Sequence, residues 1–173
     1  MYPCHTNKIL PGRNSFSILW IISENTLYIS IWILAGFLLV PVWQFAGISI
    51  LTIVWAAIVI SIQLALKKHN CSGCYYYDKR CHLGWGKISS ALFEQDSGSP
   101  ELAQKLSLFY IVSPPLIAIV SISYALVEKA SIGFLGMIVL YIVLNAITFP
   151  VRRKGCAVCA MRATCPGSSV ANS

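Results

Sequence analysis

Four apolar runs, each long enough to cross the hydrocarbon core of a bilayer, leave this chain few folds to choose from. They cover about 27–43, 45–66, 106–126 and 132–150. A core of about 30 Å takes about 20 helical residues, so runs of this length read as transmembrane helices. Composition agrees: 57% of the residues are hydrophobic and 11% charged, against about 25% charged in soluble domains. The expected fold is all-α, a four-helix transmembrane bundle of two hairpins. It forms a single membrane domain over 1–173, with a polar loop at 67–105 and a tail at 151–173.

Local signals refine this outline. Residues 1–15 are polar and turn-rich. Residues 16–22 read either as an interfacial helix or as the first turns of a long span. The interfacial placement is favoured, because Glu24 in mid-span would cost about 2.5–3.5 kcal/mol. Pro41 and Gln44 mark a reversal, and Pro114-Pro115 should kink the third span. Within the loop, 87–94 (KISSALFE) suits a short amphipathic helix. Ser99-Pro100-Glu101 has the features of a helix start: a capping serine, proline at the first helical position and an acid in the first turn.

Four spans put both termini and the long loop on one side. Lys8, Arg13, Lys67, Lys68, Lys79, Arg80, Lys87, Lys105, Arg152, Arg153, Lys154 and Arg162 share that side, leaving Lys129 opposite. The positive-inside bias makes the shared side cytoplasmic, in a multi-pass protein of the plasma membrane. No cleavable signal peptide is apparent, and neither a lipoprotein nor a prenylation motif is present. The net charge of +7 belongs to this topology rather than to nucleic acid, since the basic residues cap apolar runs and form no binding face.

All the cysteines and histidines fall on the cytoplasmic side. Cys71, Cys74 and Cys81 are spaced C-x2-C-x6-C, and Cys156, Cys159 and Cys165 are spaced C-x2-C-x5-C. Each array follows two spans and a basic cluster, so the halves read as a parallel repeat. The cytosol disfavours structural disulfides, which shifts weight toward metal ligation. A C-x2-C turn aims two thiolates at one centre, a geometry that zinc and iron–sulfur clusters both use.

Three arrangements are open. Cys71, Cys74, Cys156 and Cys159 could close one zinc site. Each array could hold its own metal, completed by His69 or His82 in the first and by Cys4 or His5 in the second. Six thiolates could also hold a binuclear centre. One iron–sulfur cluster is an alternative, and thiol–disulfide exchange a third reading that requires a lowered thiol pKa. Haem c is excluded, because neither C-x-x-C is followed by histidine.

Tyr75, Tyr76, Tyr77 and Trp85 read as interfacial anchors, and Asp78, Lys79 and Arg80 as a solvated face. Inside the spans, Gln63 and Asn145 are expected to bond between helices. The absence of ionisable groups in mid-span argues against an ion-coupled pump. No hydrolase constellation stands out. The expected function is an anchor or scaffold for a cytoplasmic protein partner, with structural zinc ordering loop and tail.

Two resemblances bear on these residues. The six cysteines resemble the fungal binuclear zinc-cluster motif. That implies a ligand geometry and not DNA binding, because 82–155 replaces the family's short joining loop. Cys74–Cys81 with Gly84–Gly86 resembles the CYYY-x-x-R-C-x-x-GWG loop of small prokaryotic, often archaeal, integral membrane proteins. That resemblance implies the membrane fold and brings no activity with it.

Overall fold

The structure is a computed structural model that describes residues 10–163, 165 and 168–170. Cys4 and His5 therefore lie outside the described residues. The chain is mostly helical, and four of its helices are long and apolar enough to cross a membrane.

Helix α1 spans Ile18–Leu39. Ser17 caps it, its Oγ accepting the Trp20 N–H at 3.3 Å. The helix thus begins well before residue 27 and runs straight through Glu24. No separate interfacial helix forms at 16–22. Position 24 tolerates an acid because the carboxylate is only 2% exposed and accepts hydrogen bonds from Trp20 and His82. A paired buried charge does not carry the cost of a lone one.

The reversal after α1 is a small hairpin. Strand β1 (Gln44–Phe45) pairs antiparallel with β2 (Ile48–Ser49). Its two linking residues, Ala46 and Gly47, have φ of 50° and 77°. Positive φ at both central positions gives the turn whose twist matches a two-residue hairpin. Helix α2 consequently starts at Ile50 rather than near 45, and spans Ile50–Leu66. A π-helical turn, Lys67–Cys71, carries it on through the basic pair to the first array cysteine.

The loop folds into α3 (Trp85–Leu92) and α4 (Pro100–Ser107), the latter started by Ser99, Pro100 and Glu101 as expected. Helix α5 (Phe109–Val127) contains both prolines; the helical run breaks at Leu108, before them. Pro114 and Pro115 cannot donate to the carbonyls of Tyr110 and Ile111. Helix α6 (Ile132–Ala157) continues past the basic stop to Cys156.

Helix α1 packs against α2, α5 and α6. Ile31, Ala35 and Leu38 of α1 meet Ile117 and Ala125 of α5 and Phe134, Ile138 and Tyr141 of α6 in the main core. Two polar bonds tie α2 to α1: Thr52 Oγ1 to the Gly36 carbonyl at 3.0 Å and Trp55 Nε1 to the Trp32 carbonyl at 3.1 Å. Gln63 bonds across helices, its Nε2 donating to the Tyr110 hydroxyl. Asn145 does not; it donates to Tyr141 O on its own helix at 2.8 Å. Outward-facing residues such as Ile111, Leu126, Val139 and Ile132 are exposed, leaving an apolar outer surface that water would penalise and lipid would not.

Candidate functional site

Both C-x2-C segments fold the same way. Cys71 ends a helical segment and Cys156 lies in the last turn of one, and each second cysteine closes a tight turn back to the first: Cys74 N–H to Cys71 O at 3.3 Å, and Cys159 N–H to Cys156 O at 3.0 Å. Helical continuation through a basic cluster into a cysteine turn therefore recurs in both halves.

The segment before α1 joins the two arrays. Leu10 N–H donates to Ala160 O at 3.1 Å and Arg13 N–H to Val158 O at 2.9 Å, with a parallel bridge between Arg13 and Cys159. Tyr76, from the loop, is 1% exposed. Its hydroxyl donates to Arg13 O and receives the Ala160 N–H at 3.1 Å. Tyr76 is thus no interfacial anchor but the staple between N-terminal segment, loop and tail. Trp85 is buried as well, with the Lys67 ammonium 4.6 Å from its ring centroid. Tyr76→Phe, which strands two backbone groups, is expected to cost about 1–3 kcal/mol; thermal melting of the purified protein measures it.

Around this staple the thiols converge. Phe16, Tyr76, Cys159, Ala160 and Met161 form a buried cluster, against which Cys74, Cys81 and Cys165 pack. Cys71 belongs to the adjoining cluster of Tyr28, Leu66, Leu83 and Trp85, which Cys81 also touches. Cys74, Cys81, Cys156 and Cys159 are free thiols. The two arrays meet, yet several of their sulfurs are committed to separate partners. Cys159 hydrogen-bonds the Tyr76 hydroxyl, Cys74 the Tyr76 backbone, and Cys156 the His82 side chain. Among the described residues, no three His, Cys, Asp or Glu side chains form a group able to hold a metal ion. His69 stands apart, its Nδ1 accepting the Ser99 N–H at 3.0 Å.

Cys156 has the most distinctive surroundings. Its thiol bonds His82. His82 Nδ1 lies 2.9 Å from Glu24 Oε2 and 3.1 Å from Oε1. Trp20 Nε1 donates to the same Oε2 at 2.9 Å. The imidazole is walled by the edge of Phe16, 5.8 Å between centroids. On its other side lies Gly155, where a Cβ would sit 3.2 Å from Nδ1. A backbone N–H from Ser169 reaches the Cys156 sulfur.

The electrostatics follow from this packing. Burial alone would push the His82 imidazole down. The hydrogen bonds and negative charge of Cys156 and Glu24 outweigh it and hold the imidazolium up to about 9. At neutral pH, Cys156 therefore faces a cation, which favours the thiolate. Burial dominates at other thiols: it raises Cys74 well above the ordinary value, with Cys165 adding, and raises Cys159 too. The array thus pairs a polarised Cys156 with a buried, protonated Cys159.

His82 stood among the sequence candidates as a metal ligand; Trp20 and Glu24 did not. The signal for Glu24 was its oddity, a lone acid inside an apolar helix.

No protein-family model matches the chain, and no curated protein or solved structure shows significant similarity to it.

Proposed function

We propose that the chain is a multi-pass membrane protein that carries out thiol–disulfide exchange through Cys156 and Cys159 on the cytoplasmic side. The observation that supports this is the Cys156 thiol hydrogen-bonded to an imidazole that a buried carboxylate fixes. In a reducing compartment, protein disulfides are usually transient and catalytic, and a thiolate stabilised beside His⁺ is the form that attacks. The bias of basic residues supports the cytoplasmic orientation.

The exchange runs in two steps. The Cys156 thiolate attacks one sulfur of a substrate disulfide, forming a mixed disulfide; the other substrate sulfur leaves and takes a proton from His82. Cys159, its proton passing to His82, then attacks the Cys156 sulfur; the second substrate sulfur leaves and takes that proton from His82. The substrate disulfide is reduced to two thiols, and the Cys156–Cys159 dithiol is oxidised to a disulfide. The turn between them suits that bond, since turn ends lie within about 7 Å and disulfides need Cα separations of about 4.4–6.8 Å. Cys156 is 4% exposed, with the Ser169 amide against its sulfur. The reacting disulfide is therefore small, or residue 169 moves aside.

A second reading is a cysteine-held zinc centre that orders loop and tail for a cytoplasmic protein partner. What supports it is that Cys74, Cys81 and Cys165 pack against the one cluster that holds Cys159, from which the thiols would have to draw together to ligate a metal. One experiment separates the two. The protein is purified anaerobically, assayed for metal, equilibrated in dithiol–disulfide buffers and mapped by mass spectrometry. Expected is a metal-free protein with a reversible Cys156–Cys159 disulfide, together with a thiolate ultraviolet band at neutral pH that Cys156→Ser and His82→Asn both remove. Stoichiometric zinc lost on cysteine substitution would overturn exchange in favour of the metal centre. Iron with acid-labile sulfide would instead point to an iron–sulfur cluster.

A further inference from the structure

The helix faces that carry Glu24 and Cys156 do not end at the thiol site. On α1, Tyr28, Ile31 and Trp32 follow Glu24 on the same face, one and two turns along. On α6, Asn145, Phe149 and Arg152 precede Cys156 at intervals of four, three and four residues, again on one face. These residues line a cavity of about 650 Å³ between α1, α2, α5 and α6. Glu24 and Cys156 are therefore the next turn beyond its array end. Side chains on a helix lean toward its N-terminus, so the Cys156 thiol leans toward the turn of Arg152.

Ser169 belongs to both places. It lines the cavity, and its backbone N–H reaches the Cys156 sulfur. Cys156 is 4% exposed, too little for a bulky disulfide to reach. Away from Ser169 the lining turns apolar, with Ile31, Trp32, Trp55 and Pro114. The Trp55 N–H is already bonded to Trp32 O at 3.1 Å, so this floor presents carbon. Ligand pockets typically measure about 300–1,000 Å³, and this one suits a narrow hydrocarbon chain.

We propose that the disulfide Cys156 attacks is borne by a single alkyl chain, which lies in this cavity with its sulfurs at Ser169. The proposal rests on the thiol–disulfide reading and names the substrate class for it. Ser169 gives up its sulfur contact to the incoming disulfide. The substrate S–S bond breaks, the Cys156–Cys159 bond forms, and the alkyl thiol and its partner thiol leave with one proton each. A bilayer already concentrates such a molecule, so the cavity's contribution is to hold the sulfurs in line with the thiolate.

The test uses the reduced full chain in phosphatidylcholine nanodiscs. Acid quench, thiol alkylation and mass spectrometry time the appearance of the Cys156–Cys159 disulfide. The probes are octyl hydroxyethyl disulfide, dosed per lipid, and bis(hydroxyethyl) disulfide. With the octyl probe the rate should saturate, and octyl hydroxyethyl sulfide, which has no S–S bond, should compete and slow it. Ser113→Phe, which fills the apolar part of the cavity, should cut the ratio of octyl to hydroxyethyl rate by at least about tenfold. No competition by the sulfide, or an unchanged ratio in a folded Ser113→Phe, would overturn the cavity as the chain's site and leave exchange standing. If that variant does not fold, competition on the unaltered protein decides. Failure of both probes to oxidise Cys156 and Cys159 would overturn the exchange reading, and this proposal with it.

Discussion

Glu24→Leu is expected to destabilise the protein by about 3–5 kcal/mol, the cost of removing one partner of a buried charge pair. The carboxylate is 2% exposed and accepts from both Trp20 and His82, so leucine strands an indole N–H and an imidazolium together. Glu24→Gln, which keeps an acceptor for Trp20, should lose less. The pH dependence distinguishes this ion pair from a packing defect. The folded His82 is held up to about 9, above an ordinary value of about 6.5. Its contribution is therefore complete below about pH 6.5 and is lost as pH rises through about 9. Cys156, lowered to about 7 beside His82, titrates in the opposite sense over the same window, so the His82 contribution is read in Cys156→Ser, whose thermal melts should fall as pH rises from about 6.5. Cys156→Ser combined with Glu24→Leu should begin lower and show a flatter profile, and a slope equal to that of Cys156→Ser alone would refute the pairing.

The same pair marks where sequence reasoning reached its limit. The four apolar runs were legible because helices in lipid announce themselves by length and composition alone. Ser99-Pro100-Glu101 was legible because capping is local chemistry. The start of α1 was not, since it depends on a contact between residues 24 and 82 that no local signal carries. The hairpin at 44–49 was missed as well: Ala46 supplies a positive φ where asparagine or glycine would have advertised the turn. For the cysteines, matched spacing foretold matched turns, and these formed. Spacing says nothing about where each sulfur points, however. That was decided by Tyr76 and His82, aromatic neighbours whose burial a stretch like YYYDKRCH gives no means of ranking.

Gly86→Ala is the substitution expected to act most strongly on the cysteine loop. A Cβ at position 86 would lie 1.9 Å from the Tyr76 carbonyl oxygen and 2.6 Å from that of Lys79. Both obstacles are backbone, held in a turn by the Lys79 N–H to Tyr76 O bond at 2.9 Å and by Asp78 N–H to Gly86 O at 3.2 Å. No rotamer change relieves the overlap, so α3 must lift away from the 76–79 turn. Gly84, with φ of 71° just before the helix, leaves the chain a second point that only glycine holds without strain. Lifting α3 would expose Trp85 and loosen Tyr76, and with it the junction between the arrays. The cost should reach about 3 kcal/mol or more, read as a lower melting temperature, red-shifted tryptophan emission and faster trypsin cleavage at Lys79 and Arg80. Gly136→Ala in α6 is the control: nothing lies within 4 Å of its Cβ position, and helix propensity favours alanine there by up to about 1 kcal/mol. If both variants melt alike, close packing of the GWG segment on the tyrosine turn is not what holds the cysteine loop in place.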